Sequence, residues 1–115
     1  MRHVIVGAGP AGVVAAETIR RRAPRAEFTL VGGEPGEPYA RMAIPYFLTG
    51  QIEEAGTHLR KTPDFYKSLG IIRRNGRAAK LDAQKHELTL ADGTELSYDR
   101  LLIATGASAV NPPIP

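Results

Sequence analysis

The hydrophobic pattern along the chain changes period several times, and each change predicts an element. Val4-Ile5-Val6 is a short unbroken apolar run, the pattern of a strand buried on both faces of a parallel sheet. Glycines follow at once, and Val13 to Arg22 then reads as a helix: Ala15, Ala16 and Ile19 form an apolar stripe, with Glu17 and Arg20 to Arg22 polar. Basic residues in the last turn suit the helix dipole, and Pro24 stops the helix. Glu27 to Val31 is a second strand, closed by Gly32-Gly33. Strand, helix and strand together make a βαβ unit over residues 1–34, the crossover that parallel strands require.

Beyond Gly33 the periodicity lapses. "GGEPGEPYARMAIPYFLTG" is rich in proline and glycine and predicts a loop, with a helical turn or two at Ile44 to Leu48 ending at Gly50. "RKTPDFYKSLG" predicts a short helix that starts at Pro63 and ends at Gly70. Residues 35–70 are thus a helical connecting loop. From Ile71 short strands are expected at Ile71 to Arg73, Arg77 to Asp82, Glu87 to Leu90 and Thr94 to Ser97, with Asp92-Gly93 as the hairpin turn before the last. Leu101-Leu102-Ile103 is fully apolar again, which predicts a central parallel strand. Residues 71–106 therefore read as an antiparallel meander and a return strand. Residues 107–115, ending in "NPPIP", read as the start of an extended linker. The fold class is α/β.

Composition narrows the chemistry. A chain of 115 residues supports one small domain. With no cysteine, the segment offers no disulfide, thiolate metal site, iron–sulfur ligand or dithiol relay. The net charge of +3 is modest. Four tyrosines and three phenylalanines lack stacking spacing, so nucleic acid is not an expected partner. No apolar run is long enough to span a bilayer, and no basic segment with a cleavage site opens the chain, so no membrane partner and a cytoplasmic setting are expected. His3, His58 and His86 stand apart without ligand spacing, and Ser68, Ser97 and Ser108 lack a nucleophile-elbow context. No metal ligand and no catalytic acid, base or nucleophile is indicated.

"GAGPAG" carries the strongest chemical signal, because it follows a strand and opens a helix. In that setting Gly7 permits the tight turn, Gly9 lets a pyrophosphate approach the backbone, and Gly12 lets helix and strand pack closely. Pro10 falls near the first helical position, where its missing N–H costs nothing. The free N–H groups and positive dipole end then face an anion. A dinucleotide site also needs an acid near the end of the second strand, and Glu34 stands close to that spacing.

With "PYARMAIPYFLTG" and "YDRLLIATGA" added, the chain resembles the FAD-binding half of the pyridine nucleotide-disulfide oxidoreductase family. The resemblance runs in order through VIVGAGPAG, LVGGEP, PYAR, IPYFLTG, the DG hairpin and SYDRLLIATGA. It implies a partial Rossmann-like FAD/NAD(P)-binding fold in which Gly7, Gly9, Pro10, Ala11 and Gly12 wrap the FAD pyrophosphate. Ala104, Thr105 and Gly106 would let the chain pass close to the cofactor. Arg41 would lie near the phosphates or the flavin, and Ala78, with Ala79 as the register alternative, would offer backbone to the adenine. Relatives carry a ribose-binding acid directly after "LVG". Here that position is Gly33 and the acid is Glu34, so either Glu34 takes the role with a shifted loop or backbone and water do.

A second departure is Met42, which occupies the place of the redox cysteine in several branches; a thioether forms neither sulfenate nor mixed disulfide. Met42 would instead pack near the flavin ring. The branch left is that of the ferredoxin and rubredoxin reductases and nitrite reductase large subunits. The resemblance thus implies part of a longer FAD-dependent oxidoreductase, with NAD(P)H as substrate and a redox protein or small molecule as acceptor. Because relatives complete the flavin site with later residues, this segment alone is expected to be inactive and to hold FAD weakly or not at all. A non-enzymatic nucleotide-binding scaffold or sensor, and a plain NAD-binding domain, are the alternatives. "PYAR" and "ATG" beside the glycine motif favour FAD over NAD.

Overall fold

The computed structural model describes residues 1–34, 36–62, 64–107 and 113. Two sheets organise them. Four parallel strands, β1 (Arg2–Val6), β2 (Glu27–Gly32), β3 (Ile71–Asn75) and β7 (Arg100–Ile103), lie in the order β3-β2-β1-β7. Three antiparallel strands, β4 (Ala78–Asp82), β5 (Glu87–Leu90) and β6 (Glu95–Ser97), form the second sheet in the order β4-β5-β6.

The two-residue alternation of a strand sends successive side chains to opposite faces, and both faces of the parallel sheet are covered. On one face Ile5, Phe28, Leu30 and Ile71 pack with Val13 and Ala16 of helix α1 (Pro10–Arg22) and Tyr66 of helix α3 (Phe65–Ser68). On the other, Val4, Val6 and Val31 pack against Leu88 and Leu90 of the antiparallel sheet. Burial on both faces is why β1 reads as a continuous apolar run rather than an alternating one. The layers are helix, parallel sheet and antiparallel sheet.

Helix α1 starts three residues before the expected Val13, at Pro10, whose fixed φ suits a first-turn position. Helix α2 (Ile44–Leu48) follows a 3₁₀ turn at Arg41–Ala43, and a second 3₁₀ turn spans Glu54–Thr57. This connecting segment is held by the Tyr39–His58 bridge and by hydrogen bonds from Ala40 N to Thr57 O (2.8 Å) and Leu59 N to Pro38 O (2.9 Å). At the Asp92-Gly93 turn Gly93 has φ +89°, and Asp92 Oδ1 accepts from Thr94 N at 2.9 Å.

Two sequence expectations change. The strand expected at Ile71 to Arg73 as part of the meander runs over Ile71–Asn75, pairs in parallel with β2 and extends the main sheet. Only Ile71 of that strand is buried, so its pattern carried no sign of the parallel partner. Leu101 to Ile103, expected at the centre of the sheet, forms its edge among the described residues, and Ile103 is 63% exposed. Pro63, Ser108 and all of "NPPIP" except Pro113 lie outside the described residues.

Candidate functional site

Parallel pairing brings the carboxyl ends of β1, β2 and β7 to one level. Val6 is in register with Val31 on one side and Ile103 on the other. Just beyond, Gly7 N donates to Val31 O (2.8 Å) and Ala104 N donates to Val6 O (2.7 Å). The glycine loop, Gly33-Glu34 and Ala104 to Gly106 therefore converge. In open parallel sheets this is the edge at which ligands bind.

The three motif glycines differ in what constrains them. Gly7 has φ +115°, and a Cβ there would stand 2.0 Å from Ala104 O. A Cβ on Gly12 would stand 1.8 Å from Gly7 O, so glycine is what lets α1 seat against the end of β1. Around Gly9 a Cβ would meet nothing within 4 Å. Gly9 is the N-cap of α1, extended at φ −80° and ψ −172°, with no side-chain cap and no acid in the first turn. The first-turn amides of α1, at Ala11 and Gly12, have no carbonyl one turn back inside the helix. Donors without helical partners and a dipole end thus lie beside the open space at Gly9, an arrangement that suits an anionic pyrophosphate.

Glu34 and Arg41, seven residues apart, meet. Arg41 Nη2 donates to Glu34 Oε1 at 2.6 Å, and the Tyr39 hydroxyl donates to Oε2 at 2.5 Å. The Tyr39 hydrogen bond first, and the Arg41 guanidinium next, hold the Glu34 carboxyl below the usual carboxylate range. The same bond raises the Tyr39 phenol. The carboxylate is therefore ionised, with both oxygens engaged within the chain. Across the strand end, Gly76 N donates to Gly32 O at 2.8 Å. This bond brings the start of β4 next to Gly33. The β4–β5 ladder steps from Ala78–Leu90 to Lys80–Thr89, so Ala79, not Ala78, is the residue without a partner in register.

Thr105 and Gly106 continue past β7 on the exposed side, Gly106 with φ +73°. Met42, in the same 3₁₀ turn as Arg41, is 88% exposed and joins neither apolar cluster among the described residues. A depression of about 430 Å³ lies at the opposite, amino-terminal end of the strands, lined by Arg2, Glu27, Tyr98 and Asp99 among others. It is remote from the glycine loop, and the geometry of the cradle outweighs its size.

The family model described as pyridine nucleotide-disulphide oxidoreductase matches residues 1–115. The chain belongs to that family. It is 35% identical over 103 residues to the ferredoxin–NAD(+) reductase component of the p-cumate 2,3-dioxygenase system of Pseudomonas putida, covering 90% of this chain and 26% of that protein. It is 37% identical over 111 residues to the rubredoxin-NAD(+) reductase of Pseudomonas putida, covering 95% of this chain and 29% of the relative. Among solved structures, the covalent putidaredoxin reductase–putidaredoxin complex matches with a TM-score of 0.90 at 31% identity, over 97% of this chain and 27% of that one. The chain thus spans between a quarter and a third of the length of these family members.

The family and its fold accord with the sequence reading. Two neighbours were missed. Tyr39 is one, although a tyrosine two residues from an arginine is a natural second donor to the same acid. Arg77, whose Cγ lies 3.3 Å from where a Cβ on Gly33 would stand, is the other; it is 44 residues from Gly33, and no local spacing connects them.

Proposed function

We propose that this chain is the FAD-binding portion of a longer NAD(P)H-dependent oxidoreductase that passes electrons to a redox protein. The observation carrying this reading is the cradle at the start of α1: two glycines packed so tightly that a side chain is impossible, and a third, Gly9, facing open space. Gly9, Pro10, Ala11 and Gly12 would hold the pyrophosphate, with Gly7 setting the turn. Gly33, Glu34 and the backbone at Ala78 would meet the adenosine. Arg41, Met42 and Ala104 to Gly106 would line the path toward the flavin. When bound, the flavin supplies hydride acceptance and stepwise electron release; the chain's own residues bind and orient it. Met42 in place of a cysteine leaves no thiol relay at that position, in keeping with transfer to a separate protein. The relatives named as ferredoxin and rubredoxin reductases support that class of acceptor. No helix among the described residues is long and apolar enough to cross a membrane, and a cytoplasmic setting completes the reading.

Titration of FAD and of FMN into the chain, followed by flavin fluorescence, tests it. FMN lacks the adenosine and the pyrophosphate bridge. Saturable binding of FAD that excess ADP reverses, with FMN at least tenfold weaker, is the expected result. Equal binding of the two flavins, or FAD binding that excess ADP does not reverse, overturns the proposal.

A further inference from the structure

The end of β2 is where an adenosine ribose meets a parallel dinucleotide-binding sheet, and there the side chain after the strand sets the choice of ribose: an acid suits free hydroxyls, an arginine a 2′-phosphate. In this chain the first position after β2 is Gly33, and the space a side chain would take is filled from elsewhere. A Cβ on Gly33 would lie 3.3 Å from Arg77 Cγ, 3.5 Å from its Nε and 3.6 Å from its Cζ. The aliphatic stem and guanidinium of Arg77 therefore lie across the strand end. The Gly76–Gly32 hydrogen bond of 2.8 Å pins the preceding residue to the end of β2. Arg77 is exposed and enters no ion pair among the described residues. Glu34, one residue further on, has one carboxylate oxygen on Tyr39 and the other on Arg41.

The acid at this end of the sheet is thus engaged within the chain, while the neighbouring cation has its donors open. Arg41, Arg77 and Glu34 together carry one net positive charge. We propose that Arg77 is the specificity-determining residue for the adenosine ribose, and that it makes the site accept a ribose bearing a 2′-phosphate as well as a free one. A guanidinium bonds a phosphate more strongly than a hydroxyl but donates to both, so FAD stays a ligand. What the arginine changes is the penalty an acid would place on a phosphate.

This rests on the dinucleotide cradle described above, and the test separates the two. The ¹⁵N-labelled chain is titrated with 5′-AMP and with adenosine 2′,5′-bisphosphate, which differ only in the ribose phosphate. The unmodified chain binds the bisphosphate at least as tightly as AMP. Arg77→Gln weakens the bisphosphate about tenfold relative to AMP, the scale of one charge-assisted hydrogen bond, and Arg77→Lys restores part of the ratio. The amide spectrum of each variant reports its fold. A ratio unchanged by Arg77→Gln, or an unmodified chain that rejects the bisphosphate while binding AMP, overturns the role of Arg77 and leaves the cradle standing. Failure of both nucleotides to bind overturns cradle and inference together.

Discussion

Adding one methyl group at Gly9 or at Gly12 separates what the glycine motif does for the fold from what it does for a ligand. At Gly12 the new Cβ would stand 1.8 Å from Gly7 O, about half an ordinary contact distance. The obstacle is backbone, so relief requires α1 to move off β1. Overpacking of a core commonly costs about 1–3 kcal/mol and sometimes more, and backbone overlap belongs at the upper end. The gain in helix propensity on replacing glycine returns only about 1 kcal/mol. A net loss of about 2 kcal/mol is expected for Gly12→Ala, a sizeable part of the roughly 5–15 kcal/mol that holds a domain together. At Gly9 the methyl meets nothing within 4 Å and the backbone is extended, not left-handed. Reduced freedom of the unfolded chain, worth about 0.4–1 kcal/mol, is offset by the poorer N-cap preference of alanine. Gly9→Ala should therefore unfold in urea within about 1 kcal/mol of the parent. Its ADP affinity, read by amide shift titration, should fall at least about tenfold (roughly 1.4 kcal/mol), because the methyl occupies the approach of the pyrophosphate. Undiminished ADP binding by Gly9→Ala would refute the cradle. A Gly12→Ala chain as stable as the parent would refute the packing argument.

Two further outcomes follow from the same geometry. Leu30 is fully buried between β2 and α1, so Leu30→Ala should lower urea stability by about 2–5 kcal/mol without changing the spectrum of the antiparallel sheet. Glu34 has a folded-state pKa below its ordinary value, through Tyr39 first and Arg41 second; its contribution to stability is present above the ordinary carboxylate range and is lost as pH falls through the lowered folded value. Because the pair is exposed, the effect is at most about 1 kcal/mol. The Tm difference between the parent and Glu34→Gln should accordingly be small at neutral pH and vanish in acid; a difference that grows on acidification contradicts the assigned contacts.

The local parts of the site were legible and the long-range parts were not. Gly7, Gly9, Pro10 and Gly12 could be read because strand, turn and helix are consecutive and each residue answers a local demand. The return of Ala104 to the glycine loop was available only through the family resemblance, since no spacing brings residues 7 and 104 together. The strand Ile71–Asn75 was assigned to the wrong neighbours because "IIRRN" buries one side chain and shows arginines to solvent. Alternation and composition say that such a strand is half-exposed, but not which strand it pairs with. Arg77 escaped notice for the same reason. Its place beside Gly33 depends on β3 lying parallel to β2 and on the turn that follows β3.

Among all the measurements open to this protein, mapping of ADP onto the ¹⁵N-labelled chain bears most directly on where a nucleotide sits. The account predicts that the amides that shift are those of Gly7 to Gly12, Gly33-Glu34 and Ala104 to Gly106, at the carboxyl ends of the parallel strands. Shifts confined to Arg2, Ser97, Tyr98 and Asp99, around the depression at the opposite end, or no saturable shifts at all, would contradict it.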